Sequence, residues 1–546
     1  MNDFFTTSLF STSSLSCFVI GAASVLTYVL HKNRSFSRKT NLKTPWPEVA
    51  GRRPFLGNSI GSIENLGNAV EAWAEIYGKD GIFSMELFGT KFYAVCDDKH
   101  ASFLENKMPF SITRREGLVR AMDSLGVTGV FSAIGDTWQK DRRLVGPALN
   151  RKNVREYTET VKLVANRLIQ KWKGMSMSMV EADADPDGTG AILINPDIIS
   201  AAMDIISLVA FGKDIDTVSK GKSHMVNVLD DLFRKITYRV AAPFHYWKIP
   251  IIGQYLDGGG FVKAQAKQYC IDHIQRFESS HSSNINSNES NKDEQEKGSK
   301  TFLGKVIALN KESEHSLSAE RMVGNLLTMF AAGSETTAGT VNVALYEIAN
   351  DKTGLQEELA EEARAMENYD SASLEDFTNC LPRLRSLVYE VLRLKGPVAF
   401  MGVENRDPIE IDGVQLPPNT NFFLMWRYIS TREDCEDSES RTPRGPRDTP
   451  LKDFCARRWL VVDDDDSKGS PTVTVVSPTH KTGFRAFGTG RRVCPGRDLA
   501  EIEILVIISS ILRNFKVSLE PGHPPMKLVS RFTQTPSEIR LCLTPV

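Results

Sequence analysis

Phe487-Gly488-Thr489-Gly490-Arg491-Arg492-Val493-Cys494-Pro495-Gly496 is the stretch on which the reading of this chain turns. One cysteine stands in a basic, glycine-rich loop just before a helix that starts near Arg497. Arg491, Arg492 and Arg497, with the positive end of that helix, favour a thiolate at Cys494. Gly490 and Gly496 let the backbone approach something flat and bulky. With Phe487, Gly490, Arg492, Cys494 and Gly496 as the fixed set, five residue types at ~5% usage coincide by chance in roughly 10⁻⁴ of chains this long. The bland rival is a buried structural cysteine in a turn.

The loop resembles the haem-binding signature of the cytochrome P450 family, F-x-x-G-x-R-x-C-x-G. That resemblance implies a haem b whose iron is ligated by the Cys494 thiolate, an axial ligand that pushes electron density toward iron-bound oxygen. It also implies that Arg492 pairs with a haem propionate and that Phe487 packs near the sulfur.

Other family motifs follow in the expected order. Ala332-Gly333-Ser334-Glu335-Thr336-Thr337 is similar to the oxygen-activation motif (A/G)-G-x-(D/E)-T. Met329, Ala332, Gly333 and Thr336 fall on one helix face, where small residues leave room beside a cofactor. An interior glycine costs about 1 kcal/mol against alanine, so a reason for it is expected. The resemblance makes Thr336 a hydrogen-bond partner of bound dioxygen and Glu335 the feeder of protons from solvent. Glu390-Val391-Leu392-Arg393 matches E-x-x-R, and Phe454-Cys455-Ala456-Arg457-Arg458-Trp459 resembles F-x-P-x-R-W with Ala456 in place of proline. These imply a structural ion-pair triad of Glu390, Arg393 and Arg458. Trp138-Gln139-Lys140-Asp141-Arg142 matches W-x-x-x-R, whose Trp138 and Arg142 are expected at a propionate. Read alone, that pair is a cation–π or packing pair. One departure stands out: Val403 occupies a position where many family members carry a basic residue, and Arg406 comes three residues late.

The rest of the 546 residues is consistent with this. Hydrophobic residues make up 41% and charged residues 25%, which excludes a disordered chain, a collagen-like fibre and a multi-span membrane protein. The net charge of -2 calls for no nucleic-acid partner. Eight cysteines and nine histidines form no C-x-x-C pair and no cluster, so neither a disulfide scaffold nor a zinc ribbon is expected. Helical period covers 155–173, 196–212, 221–240, 261–278, 318–350, 354–367, 382–394 and 497–513. Alternation marks 82–95, 409–416 and 420–425 as strands. The expected fold is mainly α with small β-sheets: one large α-rich domain over 45–546, behind an N-terminal transmembrane helix.

That helix is expected at Leu9–Leu30, 22 residues without a charge followed by His31, Lys32, Arg34, Arg38, Lys39 and Lys43. Residues 1–43 read as a membrane anchor with a basic flank and 44–54 as a proline-stiffened hinge. A cleaved targeting peptide is the alternative. Surface insertions are expected at 278–300, 431–450 and Asp463–Asp466.

The resemblance implies a monooxygenase acting on a small lipophilic substrate with O2. No G-x-G-x-x-G opens a helix after a strand, so electrons from NADPH must arrive through a separate diflavin reductase. The charge flank places the catalytic domain on the cytosolic side of the endoplasmic reticulum membrane, with a plastid or other organelle membrane as the lesser choice. Rival readings are a haem-thiolate isomerase or dehydratase that does not use O2, and a non-catalytic haem-binding sensor. Lys140, Arg143, Lys481, Arg485, Arg491 and Arg497 are expected to form a basic docking face for the reductase. Pro243–Ile252, rich in aromatic residues and isoleucine, is expected to touch membrane lipid a second time.

Overall fold

The computed structural model describes residues 44–546 apart from 54–56, 88, 183–189, 222–223, 243–245, 250–256, 283–295, 297, 314–315, 434–442, 444, 446–447, 464–471 and 480–481. The anchor at Leu9–Leu30, its basic flank, Lys481 and most of each expected insertion lie outside the described residues. No helix among the described residues is long and apolar enough to cross a membrane.

Helix α1 (Leu66–Tyr77) precedes the first strands and was not visible in the period, because its buried face is only Gly67, Val70 and Ala74. The alternating stretch 82–95 is two strands, β1 (Ile82–Leu87) and β2 (Thr90–Val95), with Ile82 opposite Val95. The chain reverses at Gly89, whose φ of +74° suits glycine. Strands β3 (Ile112–Arg114), β4 (Met401–Asn405) and β5 (Asn421–Leu424) complete a sheet in the order β1-β2-β5-β4-β3. The β2–β5 pair is parallel and the other three are antiparallel. The expected strand at 409–416 is likewise a short hairpin, Ile409–Ile411 with Val414–Leu416. A further hairpin near the C-terminus joins β6 (Leu528–Ser530) and β7 (Gln534–Pro536).

Trp46, inside the proline-containing segment, is buried and meets Tyr93 edge to face at 5.4 Å. Val49 donates to the Ser84 carbonyl at 2.9 Å and Ser84 to the Pro47 carbonyl at 2.8 Å, so this segment is sewn along β1.

Helix α2 (Gly135–Ala148) carries Trp138 and Arg142. Every run with helical period is a helix: α3 (Arg151–Ala182), α4 (Asn195–Phe211), α5 (His224–Ala241), α6 (Gly259–Ser282), α7 (Ala319–Asn350), α8 (Leu355–Arg364), α9 (Pro382–Lys395) and α10 (Arg497–Asn514). Ser318 caps α7, its side chain accepting from Arg321 N. α7 and α10 are apolar around most of their circumference, so both run through the core, α7 packed chiefly on α4, α9 and α10.

Candidate active site

The cysteine loop is held by its own backbone. Cys494 N donates to the Phe487 carbonyl at 2.8 Å and Val493 N to the Gly490 carbonyl at 3.2 Å. Gly488 and Gly490 take φ of +69° and +57°, which a side chain would strain. Gly496 does not need that freedom; a Cβ there would sit 3.9 Å from Cys494 Sγ. The Arg497 guanidinium lies 5.5 Å above the Phe487 ring. Cys494 is half-buried. Burial pushes its thiol up, while the Gly496 amide, Arg142 and Arg497 pull it back toward the thiolate.

Beside the cysteine lies a cluster of cations, Arg114 buried and Arg142 and Arg492 half-buried. Arg492 donates to the carbonyls of Val130 (3.1 Å), Phe131 (3.4 Å) and Ala133 (2.5 Å). It also stacks at 4.9 Å on Trp138, so the cation–π partner of Trp138 is Arg492 and not Arg142. Burial, reinforced by repulsion from Arg114 and Arg142, lowers the Arg492 guanidinium to about 9. Arg114, only 5% exposed, is lowered to about 10 by burial. Its Nε and Nη1, and Arg492 Nε, find no hydrogen-bond partner among the described residues. The one acid that raises Arg492, Asp141, is already bonded to Arg321.

The middle of α7 differs from the rest of that helix. Ala332 is exposed and Gly333, Glu335 and Thr336 are half-buried, whereas the flanking turns are buried. Thr336 Oγ1 donates to the Ala332 carbonyl at 2.6 Å. A Cβ on Gly333 would stand 2.4 Å from Ile206 Cδ1 on α4, so the close approach of α4 accounts for glycine there. Met329, placed on the same face by spacing, is 8% exposed. Glu335 Oε2 accepts from Thr533 Oγ1 at 2.8 Å and from Thr533 N at 3.2 Å.

Loop 127–133 ties these parts together. Asn325 on α7 accepts from Val130 N at 2.7 Å, and the Val130 carbonyl receives Arg492. Phe131 meets Phe532 edge to face at 6.1 Å, and Phe532 adjoins the Thr533 that holds Glu335.

Glu390, Arg393 and Arg458 are fully buried in one network. Arg393 forks onto both Glu390 oxygens at 2.8 Å each, and Arg458 Nε reaches Glu390 Oε1 at 3.0 Å. Cys455 N also donates to Glu390 Oε1, at 2.9 Å. Arg458 further binds the carbonyls of Thr449 (3.0 Å), Pro450 (2.9 Å) and Asp453 (2.8 Å), so the triad ties α9 to the irregular segment 449–458.

Two sequence expectations are revised. Arg485 is 1% exposed and paired with Asp98 and Glu105, so it is no part of a basic surface; Lys140, Arg143 and Arg491 are exposed and Arg497 half-buried. Within 243–252, Tyr246 and Trp247 are half-buried against the domain, Trp247 5.5 Å from the Arg239 guanidinium, while Lys248 and Ile249 are exposed; 243–245 and 250–252 lie outside the described residues. Glu503 escaped sequence reading, whereas Arg114 and Thr533 fall within 110–131 and 531–535, segments expected to line the pocket, without a role of their own. Arg114 had one visible signal, a Thr-Arg-Arg run within a short alternating segment.

These residues fit a haem. Its propionates need cations, and the cluster offers guanidinium N–H groups that lack acceptors. Its iron needs a thiolate; burial holds the Cys494 thiol above its ordinary value, and the Gly496 amide, Arg142 and Arg497 are the groups that oppose this and would face the charged sulfur.

The family model described as Cytochrome P450 matches residues 47–435 and 453–543. The chain is 30% identical over 224 residues to the mitochondrial sterol 26-hydroxylase of Rattus norvegicus, covering 41% of this chain and 38% of that protein. It is 24% identical over 427 residues to the same-named protein of Mus musculus, covering 76% and 72%. It is 23% identical over 530 residues to germacrene A hydroxylase of Saussurea costus, covering 94% and 96%. The match thus spans about two-fifths of the rat relative's length and most of the other two.

Proposed function

The chain belongs to the cytochrome P450 monooxygenase family, and from that premise we propose that it inserts one oxygen atom from dioxygen into a lipophilic organic substrate and releases the other as water. Two electrons come from NADPH through a separate diflavin reductase. Haem b, when bound, supplies the oxygen activation. The observation that carries this reading is one connected assembly: Cys494 in a loop facing Arg142 and Arg497, two arginines, Arg114 and Arg492, with unused donors, and the mid-helix turn of α7 where Ala332 is exposed and Gly333, Glu335 and Thr336 are half-buried.

Cys494 would ligate the haem iron through its thiolate. Arg492, Arg142 and Trp138 would hold the propionates, joined by Arg114. Gly490 shapes the loop, Gly496 supplies the amide that faces the sulfur, and Phe487 packs beside it. Ala332 keeps the α7 surface low, and Gly333 lets α4 press against the same turn. Glu335 takes protons from solvent and Thr336 passes them on. Relatives named for sterol and germacrene A hydroxylation support a lipophilic substrate.

Leu9–Leu30 anchors the protein once in the endoplasmic reticulum membrane with the catalytic domain in the cytosol. Exposed Ile249 and its neighbours make a second lipid contact. The reductase docks on Lys140, Arg143, Arg491 and Arg497.

The reduced, CO-bound protein should absorb at the thiolate position, and Cys494→Ala should abolish that band. With reductase and dioxygen, NADPH should be consumed, and a panel of sterols, fatty acids, terpenoids and carotenoids should reveal binders by their spin-state shift. A normal thiolate band in Cys494→Ala would end the reading.

A further inference from the structure

Glu335 reaches away from its own helix. Both of its hydrogen bonds come from Thr533, and both fall on one oxygen, Oε2. Thr533 lies at the tip of the β6–β7 hairpin. The strands that carry this tip are firmly fixed. Gln534 N donates to the Pro397 carbonyl at 2.8 Å, Gly67 N donates to Ser530 Oγ at 2.9 Å, and Asn68 Nδ2 donates to the Leu528 carbonyl at 2.9 Å. Arg427 bonds the Gln534 side chain and is itself paired with Glu71 on α1. A tip held in this way presents its hydroxyl and amide from a set position.

A free glutamate has three side-chain torsions, and fixing them costs conformational entropy that a positioning partner must offset. The hydroxyl of Thr336, one residue on, is already turned to the Ala332 carbonyl. A proton passed from Glu335 to that hydroxyl therefore depends on where the carboxyl is kept, and Thr533 is the residue that keeps it.

We propose that Thr533 is a positioning residue for Glu335: its hydroxyl and amide clasp the carboxyl on the hairpin side of α7, so the β6–β7 hairpin sets the geometry of proton delivery. The inference rests on the monooxygenase reading above. Donors on a carboxylate favour its ionised form, burial opposes that, and the other charges facing the group are Arg531 on the hairpin tip, which lowers it, and Asp230 on α5, which raises it. Loss of the Thr533 hydroxyl moves the carboxyl toward its neutral form and frees its torsions.

The test uses the full-length, haem-loaded protein as wild type, Thr533→Val, Thr533→Ser and Glu335→Gln. The Glu335 carboxyl is followed by its infrared C=O band against pH, taken as the difference from Glu335→Gln. Thr533→Val should raise the titration midpoint by about one pH unit, and Thr533→Ser should restore it. In parallel, peroxide released per NADPH is measured with a purified NADPH-dependent diflavin reductase in air. Thr533→Val should raise that ratio several-fold, Thr533→Ser should return it, and Thr533→Val should add nothing in the Glu335→Gln background. Haem content and thermal midpoint report folding, and Thr533→Ala replaces the valine variant if the hairpin is disturbed. A midpoint and peroxide ratio unchanged in Thr533→Val overturn the clasp, as does a peroxide effect that persists without Glu335. A wild type lacking the thiolate band or NADPH-dependent oxygen uptake defeats the monooxygenase reading instead, while the infrared midpoint still decides the clasp because it needs no turnover.

Discussion

Arg114 and Val403 are register partners across β3 and β4. Directly opposed residues of an antiparallel pair project to the same face of the sheet. Position 403, where the resemblance leads one to expect a basic residue, carries valine, and the residue facing it across the sheet is a buried arginine with two unused donors. Arg406 does not fill the role, because it is exposed and its amide donates to the Ser111 carbonyl at 2.8 Å.

Arg114→Gln should therefore loosen the cofactor. A charge-assisted pair is worth about 1.5–3 kcal/mol, so haem transfer to apomyoglobin should accelerate roughly ten- to a hundredfold. Adding Val403→Arg should recover most of the loss. An unaltered transfer rate in the single variant removes Arg114 from the cofactor site.

The triad is structural, and its loss should be severe. Arg458→Leu takes a donor from the carbonyls of Pro443, Thr449, Pro450 and Asp453 and removes one of the two guanidinium partners of Glu390, both buried. Breaking such a network costs about 3–5 kcal/mol. Little haem-loaded protein should be recovered by CO binding. Arg458→Lys should not restore it, because a lysine cannot fork between a carboxylate and several carbonyls. Wild-type yields of loaded protein from the lysine variant would contradict this.

Glu503 on α10 predicts the pH dependence of stability. It is 1% exposed and neither oxygen completes a hydrogen bond among the described residues. Burial pushes its carboxyl up to about 8, with the Thr337 hydroxyl only partly offsetting the shift. The folded protein then keeps a proton that the unfolded chain releases near its ordinary value of 4.5. Stability contributed by this group is full below that value, declines as pH rises toward about 8, and is flat above. Over the window the decline is on the order of 5 kcal/mol. Glu503→Gln should flatten the unfolding midpoint between pH 5 and 9 and stabilise the protein most at the alkaline end. Parallel profiles for variant and wild type would contradict the assignment.

Docking of an acidic reductase on α2 should be electrostatic. Lys140 and Arg143 are both exposed there. Reversing both charges should slow the first electron transfer, most at low ionic strength, in stopped-flow measurements with purified reductase. Equal rates across salt concentrations would discard this surface.

Parts whose information is local were readable from the residues alone. A cysteine loop needs its glycines and arginines within ten residues, and buried helices such as α7 and α10 declare themselves by period over several turns. Even the triad was legible, because both of its segments carry their own short motifs. Alternation over 82–95 marked extended chain but not the reversal at Gly89, since a period of two does not register a tight turn. Tertiary structure alone decided the contacts that join distant segments. Thr533 meets Glu335 across 198 positions, Arg485 is withdrawn from the surface by Asp98 and Glu105, and the Ile206 side chain on α4 closes on Gly333. Spacing tells which residues share a face of one element, whereas which neighbour covers that face depends on how all the elements pack.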